Sequence, residues 1–292
     1  MKRKKTGLTL VEILVVLGII ALLLGLLLPA MTTVKNSAKE VKQKAQFSAI
    51  NLALVTFKND YGDYPPSNCP ITGVGSDYSG AQKLAEALLG WDLLGFHPKS
   101  AWRADGLDAG GGNGTYDPLK TRDLNGDGVP DTLKERKPMY LDAETANAFK
   151  LGDGTTGVRT GLFTTTAPLA ADTYVLCDVF NMKKVVLPNG KTMSAGAPIL
   201  YYKANTSGAL IRDKYKVWDN DSIVYLKYQA DTTITQPLGQ TADSYQYFYD
   251  YITDPKTIGT VPQPYRPDSY ILISAGLDGI YGTSDDIRNF GK

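Results

Sequence analysis

From residue 8 to residue 30 the chain reads LTLVEILVVLGIIALLLGLLLPA, an apolar run that carries one charge, Glu12, and meets no break before Pro29. About 23 residues at roughly 1.5 Å each give about 34 Å of helix, enough to cross a hydrocarbon layer of about 30 Å. Past that run, apolar residues recur three or four apart at Val34, Ala38, Val41, Ala45, Ala49 and Leu52, with Lys35, Lys39 and Lys42 off the stripe. This is the period of an amphipathic helix, so the helix continues beyond the apolar run. Phe47, Ile50, Leu54 and Phe57 make a second stripe with the same spacing. The last third is therefore apolar on two sides and requires two partners, the protein's own body and a neighbouring molecule. The pattern predicts one helix from Leu8 to about Asp60, about 80 Å long if unbroken.

Gly62, Pro65, Pro66 and Pro70 end that helix. Ala81, Leu84, Ala85, Leu88 and Leu89 predict a short amphipathic helix closed by Gly90. Residues 104–131 are dominated by Gly, Asp and Asn, a loop too long to be a bare connection. Segments 173–180, 183–187, 198–204, 222–229, 244–252 and 269–274 are short, β-branched or aromatic, and separated by turn residues; they predict an antiparallel sheet. In 244–252 the tyrosines 245, 247, 249 and 251 alternate with other residues, which as a strand puts four rings on one sheet face, packed on a loop or a neighbouring subunit. The fold class is α+β: a long N-terminal helix packed on a C-terminal head with an antiparallel sheet and long loops.

At 292 residues with 43% hydrophobic content the chain can bury a core. The net charge of +1 conceals an asymmetry, because Lys2, Arg3, Lys4 and Lys5 lie directly before the apolar run. Cations at that end keep it cytoplasmic and put Met31 onward on the far side of the membrane. Without those four, 27 of the 31 basic side chains face 30 acidic ones. A body with that balance and no Lys/Arg-dense stripe offers no groove for nucleic acid, so no nucleic-acid partner is expected. Cys69 and Cys177 are the only cysteines, and without a CxxC or Cys/His cluster there is no structural zinc site. A Cys69–Cys177 disulfide and two free thiols both remain open. His97 is the single histidine, and no GxSxG, HExxH or phosphate loop occurs. A lone imidazole among Trp91, Pro98 and Trp102 reads as packing or hydrogen bonding, so no enzymatic activity is expected.

Two stretches have the chemistry to hold a hard cation. In DLNGDGVPD, Asp123, Asn125, Asp127 and Asp131 alternate oxygen side chains around Gly128 at the sharp-turn position, with Val129 offering its carbonyl. The pattern resembles the EF-hand-like calcium loops of dockerins and thrombospondin repeats. It departs from a full EF-hand at Lys134, which stands where the closing glutamate would be and leaves Glu135 or a distant carboxylate to complete the shell. The second stretch is the Gly- and Asp-rich tail SAGLDGIYGTSDDIRNF at 274–290.

Glu12 lies inside the apolar layer, where a carboxylate costs on the order of a few kcal/mol unless protonated or paired. Cleavage before Leu8 would create an α-amino group about one turn away. KKTG followed by the apolar run resembles the class III signal and N-terminal helix of type IV pilins and type II secretion pseudopilins. That resemblance implies cutting after Gly7 by prepilin peptidase, methylation of the new terminus at Leu8, the family's glutamate at Glu12 and its helix-loosening proline at Pro29. Leu8 departs from the usual phenylalanine. YGDYPPS resembles the turn after the spine helix of major pseudopilins, and the tail resembles their calcium-binding C-terminus, which implies Asp278, Asp285 and Asp286 as ligands. The implied organisation is a leader over 1–7, a spine over 8–60 that is transmembrane over about 8–30, and an extracytoplasmic head over 61–292. The implied role is a non-enzymatic subunit of a type IV pilus-like or type II secretion filament, single-pass in the inner membrane with its head in the periplasm or outside. Its head would hold Ca2+ at one or two sites, and its partners would be prepilin peptidase, other pilin or pseudopilin subunits and the inner-membrane assembly platform. Two alternatives are a minor tip pilin that uses the 104–131 insertion for adhesion, and an anchored calcium-binding protein with no filament role.

Overall fold

The computed structural model describes residues 9–69, 77–107, 114–116, 131–152, 160–180, 183–187, 190–239, 244–257, 259 and 261–291. Helix α1 runs Leu10–Tyr61 without interruption and passes through Pro29. By contacts the chain divides into Met1–Lys42 and Gln43–Lys292, so the last third of α1 belongs to the head.

Within the head, Phe47, Ile50, Ala53, Leu54 and Phe57 are the buried face of α1, the stripe that the sequence spacing marks. Phe47, Ile50 and Leu54 join a cluster with Leu84, Leu88, Tyr201, Tyr270 and Leu272. Phe57 instead lies edge-on to Phe96, ring centroids 5.1 Å apart, and packs with Tyr140 and Trp102.

Helix α2, Gly80–Leu89, starts with a capping box: Ser79 donates its N–H to Gln82 Oε1 at 2.8 Å, and Gln82 N–H bonds back to the Ser79 hydroxyl. Its apolar positions are those read from the sequence, but it is not a surface helix. All ten residues are buried, Gln82, Lys83 and Glu86 included. The polar side finds partners instead of water. Lys83 bonds the Asn68 carbonyl, and Glu86 receives the Ser100 hydroxyl and, at 2.9 Å, that of Tyr116. Close approach of α2 to the sheet depends on Gly80, where a Cβ would lie 2.2 Å from the Tyr201 carbonyl oxygen.

After the short helices α3, Asp131–Lys134, and α4, Ala143–Ala146, come strands β1, Ala148–Lys150, β2, Tyr174–Leu176, β3, Lys183–Val186, β4, Thr192–Ala195, and β5, Leu200–Lys203. Then follow α5, Ile211–Lys214, α6, Asp221–Ala230, α7, Ser244–Ile252, β6, Tyr270–Ser274, and β7, Ile287–Arg288. The pairing is antiparallel throughout: β1 with β2, β3 with β4, and β5, β6 and β7 in one sheet with Tyr201 opposite Leu272 and Ser274 opposite Ile287. β6 is central and buried along its whole length.

Two of the six expected strands are helices. Segment 222–229 lies in α6 and 244–252 is α7. In α7 the inward residues are Phe248, Tyr249 and Ile252, at helical spacing, while Tyr245 and Tyr247 are exposed. The tyrosine sheet face therefore does not exist.

Candidate functional site

At the start of α1, Glu12 folds back on the first turn. Its Oε2 accepts the Thr9 N–H and the Thr9 hydroxyl, each at 2.8 Å, and the Glu12 N–H reaches Thr9 Oγ1 at 3.3 Å. Thr9 and Glu12 thus cap orphan donors of the helix end reciprocally. Sequence reasoning missed Thr9, although the signal was present as T-x-x-E directly before an apolar run. Gly7 and Leu8 lie outside the described residues.

From Leu10 to Lys42 the described side chains are exposed, apart from the half-buried Asn36 and Lys39. The helix is long and apolar enough to cross a membrane. In the head part of α1, polar side chains fix its register. Gln43 Oε1 accepts the Val179 N–H at 3.0 Å, Gln46 donates to the Ala146 and Cys177 carbonyls at 3.1 and 3.0 Å, and Tyr270 donates to Asn51 at 2.8 Å. The side turned away from the core keeps Leu52 at 70% exposure and Val55 at 44%.

Residues 2–28 match the model of the prokaryotic N-terminal methylation motif. That segment contains the basic leader, Gly7, Leu8, Thr9 and Glu12. The chain carries the N-terminal motif of type IV pilin-like, prepilin-type proteins. No curated protein and no solved structure matches it. The motif together with the apolar helix points to a structural subunit of the pilin-like kind.

The C-terminal turn of this pilin-like chain lies between β6 and β7. Asp285 Oδ2 accepts the N–H groups of Leu277 and Asp278 at 2.7 and 3.0 Å, and its Oδ1 accepts the Thr283 hydroxyl at 2.6 Å. Burial raises the Asp285 pKa, but these donors outweigh it and hold the carboxyl below the usual range. Asp278 Oδ1 accepts the Ile280 N–H at 2.8 Å, and burial together with the Asp285 charge raises its pKa. Asp286 points the other way. Its Oδ2 accepts the Tyr251 hydroxyl and, at 2.8 Å, the Gly282 N–H, and burial pushes it up to about 7. Gly276, at φ 63°, lets the loop close, since a Cβ there would lie 2.4 Å from the Asp285 carbonyl.

The turn therefore brings together two of the three carboxylates expected as calcium ligands. Among the described residues no three His, Cys, Asp or Glu side chains converge on a metal position. Asp278 and Asp285, with the carbonyls of the turn between them, are oxygen donors of the type a hard cation takes, and both Asp285 oxygens already accept hydrogen bonds. Asp286 is turned to Tyr251 and Gly282 through its Oδ2, and its Oδ1 is buried without a hydrogen-bond partner. Of the other calcium loop, Asp123, Asn125 and Asp127 lie outside the described residues, and of Asp131 only the backbone, at the start of α3, is described.

Cys69 and Cys177 are buried free thiols. Burial pushes Cys69 up to about 11, helped by the Asp77 charge, and raises Cys177 as well, so neither is poised as a thiolate. His97 is buried and bonded: its Nδ1 accepts the Lys99 N–H at 3.1 Å, its backbone N–H donates to the Tyr116 hydroxyl oxygen at 3.2 Å, and its Nε2 lies 3.4 Å from Glu135. Burial lowers its pKa against the pull of Glu135. These contacts give it the bonding role read from the sequence.

Proposed function

We propose that the chain is a filament-forming subunit of a type IV pilus-like or type II secretion system, cut after Gly7, anchored through residues 8–30 with its head outside the cytoplasm, and packed with its neighbours through α1. The observation that carries this reading is the apolar face of α1 that the head leaves uncovered, Leu52 and Val55, on a helix that begins with the methylation motif. An isolated anchored domain has no use for a second apolar face, since every exposed Leu or Val of that stripe forgoes about 1.5–3 kcal/mol of burial. In the filament, Glu12 meets the Leu8 amine of the next subunit and sets the axial register.

The first test is the mature N-terminus, read by intact mass and terminal peptide analysis from cells with and without prepilin peptidase. A peptidase-dependent start at Leu8 is expected. A chain still beginning at Met1 in both strains would leave an anchored protein with no filament role.

The reading includes one calcium ion in the C-terminal turn, held by Asp278 and Asp285. A divalent cation there would neutralise the Asp285 charge that now raises the Asp278 pKa and would tie the two carboxylates of the turn together. Saturating Ca2+, at about a hundred times its dissociation constant, should then stabilise the head by about 2.7 kcal/mol. Thermal melts in Ca2+ and in chelator measure this. Asp285→Asn should lose most of the difference, whereas equal melting of the wild-type head in both buffers would remove calcium from the account.

A further inference from the structure

Directly past the membrane-length run, Lys35, Lys39 and Lys42 follow one another at i, i+4 and i+7 on a single face of α1. Lys35 and Lys42 are exposed and Lys39 is half-buried. The acid in this stretch, Glu40, points about 100° or more away from the ridge at 3.6 residues per turn. Beside the ridge runs the exposed stripe of Val34, Ala38 and Val41. All of this lies within the unit Met1–Lys42.

We infer that this lysine ridge binds the anionic headgroups of phospholipids in the leaflet facing the head. The inference rests on the proposed membrane topology, which puts residue 31 onward outside the cytoplasm. Because the apolar run and the lysines share one unbroken helix, the run sets the depth of the ridge. At roughly 1.5 Å per residue, Lys35, Lys39 and Lys42 lie about 7, 13 and 18 Å beyond Ala30. A headgroup layer is several ångströms thick and its potential decays over a Debye length of about 8 Å, so Lys35 sits in it, Lys39 reaches it with its flexible stem, and Lys42 is at its limit. The stripe beside the ridge gives the stems an apolar surface to lie along while the ammonium groups meet phosphate. Three cations on this side also oppose the four of the leader in setting orientation, a cost that an anionic lipid surface offsets. The anchored subunit is thereby retained at the membrane until assembly exchanges the lipid phosphates for other contacts.

The test uses the full-length chain in lipid nanodiscs of phosphatidylcholine doped with phosphatidylglycerol, with retained lipids counted by native mass spectrometry. Because the leader cations are present in every sample, differences among variants isolate the ridge. Preferential retention of phosphatidylglycerol is expected, weakening with added salt. It should drop about five-fold in Lys35→Gln, less in Lys39→Gln and least in Lys42→Gln. Circular dichroism of each variant should be unchanged, since glutamine has about the helix propensity of lysine. Equal retention of both lipids, or a preference that the triple glutamine variant keeps, overturns the proposal and leaves the lysines to acidic surfaces of neighbouring subunits. Carbonate extraction separates the two levels of failure. A chain released by carbonate defeats the membrane reading itself, whereas an inserted chain without lipid preference defeats only the ridge.

Discussion

Glu12→Gln is expected to abolish filament assembly while leaving the chain inserted, cleaved and helical from its first turn. In the proposed filament the Glu12 carboxylate has two tasks. Its Oε2 caps the helix through the Thr9 N–H and hydroxyl, and a glutamine carbonyl can accept the same two bonds. The negative charge is lost, and with it the proposed pairing with the Leu8 amine of a neighbour. In an apolar layer, an unpaired amine costs on the order of a few kcal/mol per contact, and the loss is repeated at every subunit. Thr9→Val is the converse change: it removes the hydroxyl of the cap, at about 1 kcal/mol of local helix stability, but keeps the charge and should assemble. Sheared-filament yield, measured with cleavage and carbonate extraction, compares the two. Normal filaments from Glu12→Gln would refute the charge role. Equal failure of both variants would assign the effect to the cap.

The second large effect is on pH. Burial raises Asp178 to about 6, Asp219 to about 6 and Asp286 to about 7, and it also raises Glu86. A carboxyl whose folded pKa lies above its unfolded value of about 4 takes up a proton more readily when folded. Its stabilising contribution is complete below about pH 4 and is lost as pH rises through the folded value. The head should therefore lose a few kcal/mol between about pH 5 and 7.5. His97 works in the opposite sense below about pH 6.5, but it is one group with a partner in Glu135. The depressed carboxyls Asp63, Asp105 and Asp285 lose their contribution only as pH falls below about 4, outside this window.

Asp178 is the test residue. It is fully buried, its Oδ1 accepts the N–H groups of Phe180 and Ala197 at 3.2 and 3.1 Å, and its Oδ2 accepts the Ser274 hydroxyl at 3.0 Å. Asp178→Asn keeps an acceptor and a group that can bond Ser274, so it should flatten the pH slope at modest cost. Asp178→Ala strands three donors and should cost roughly 3 kcal/mol or more. Denaturant midpoints at pH 5 and 7.5, taken in chelator, measure both. A wild-type head more stable at pH 7.5 would contradict the assignment.

The same buried acids show why parts of the head were illegible in the sequence. Asp178 and Asp219 carry no local pattern; they are sites only because β5, β6 and the chain near Ser67 close around them. Ser67 donates to Asp219 at 2.5 Å across 152 residues of sequence. α2 was legible in position and period, but its burial on all sides was not, because the loops that cover Lys83 and Glu86 come from elsewhere in the chain. Segments 222–229 and 244–252 were misread as strands for a related reason. Their β-branched and aromatic residues have sheet propensity, yet Ile223 with Leu226 and Phe248 with Ile252 also fit the helical period, and packing against the core chose the helix. A two-residue alternation of tyrosines cannot distinguish the two when every second position is large.

What the sequence determined by itself was local or one-dimensional: the unbroken apolar run and its continuation as a helix, the stripe of Phe47, Ile50, Leu54 and Phe57, the closing of α2 at Gly90, four of the six strands, and the leader motif with Glu12. Each depends on spacing along one element, which dihedral geometry converts directly into a face or a turn. The tertiary structure decided what no spacing encodes. It left Cys69 and Cys177 apart as thiols, turned Asp286 inward to Tyr251 while Asp278 and Asp285 stayed together, and made helices of two strand-like segments. Those outcomes depend on which distant groups exclude water from a side chain and supply its hydrogen bonds, and that is settled only when the whole chain packs.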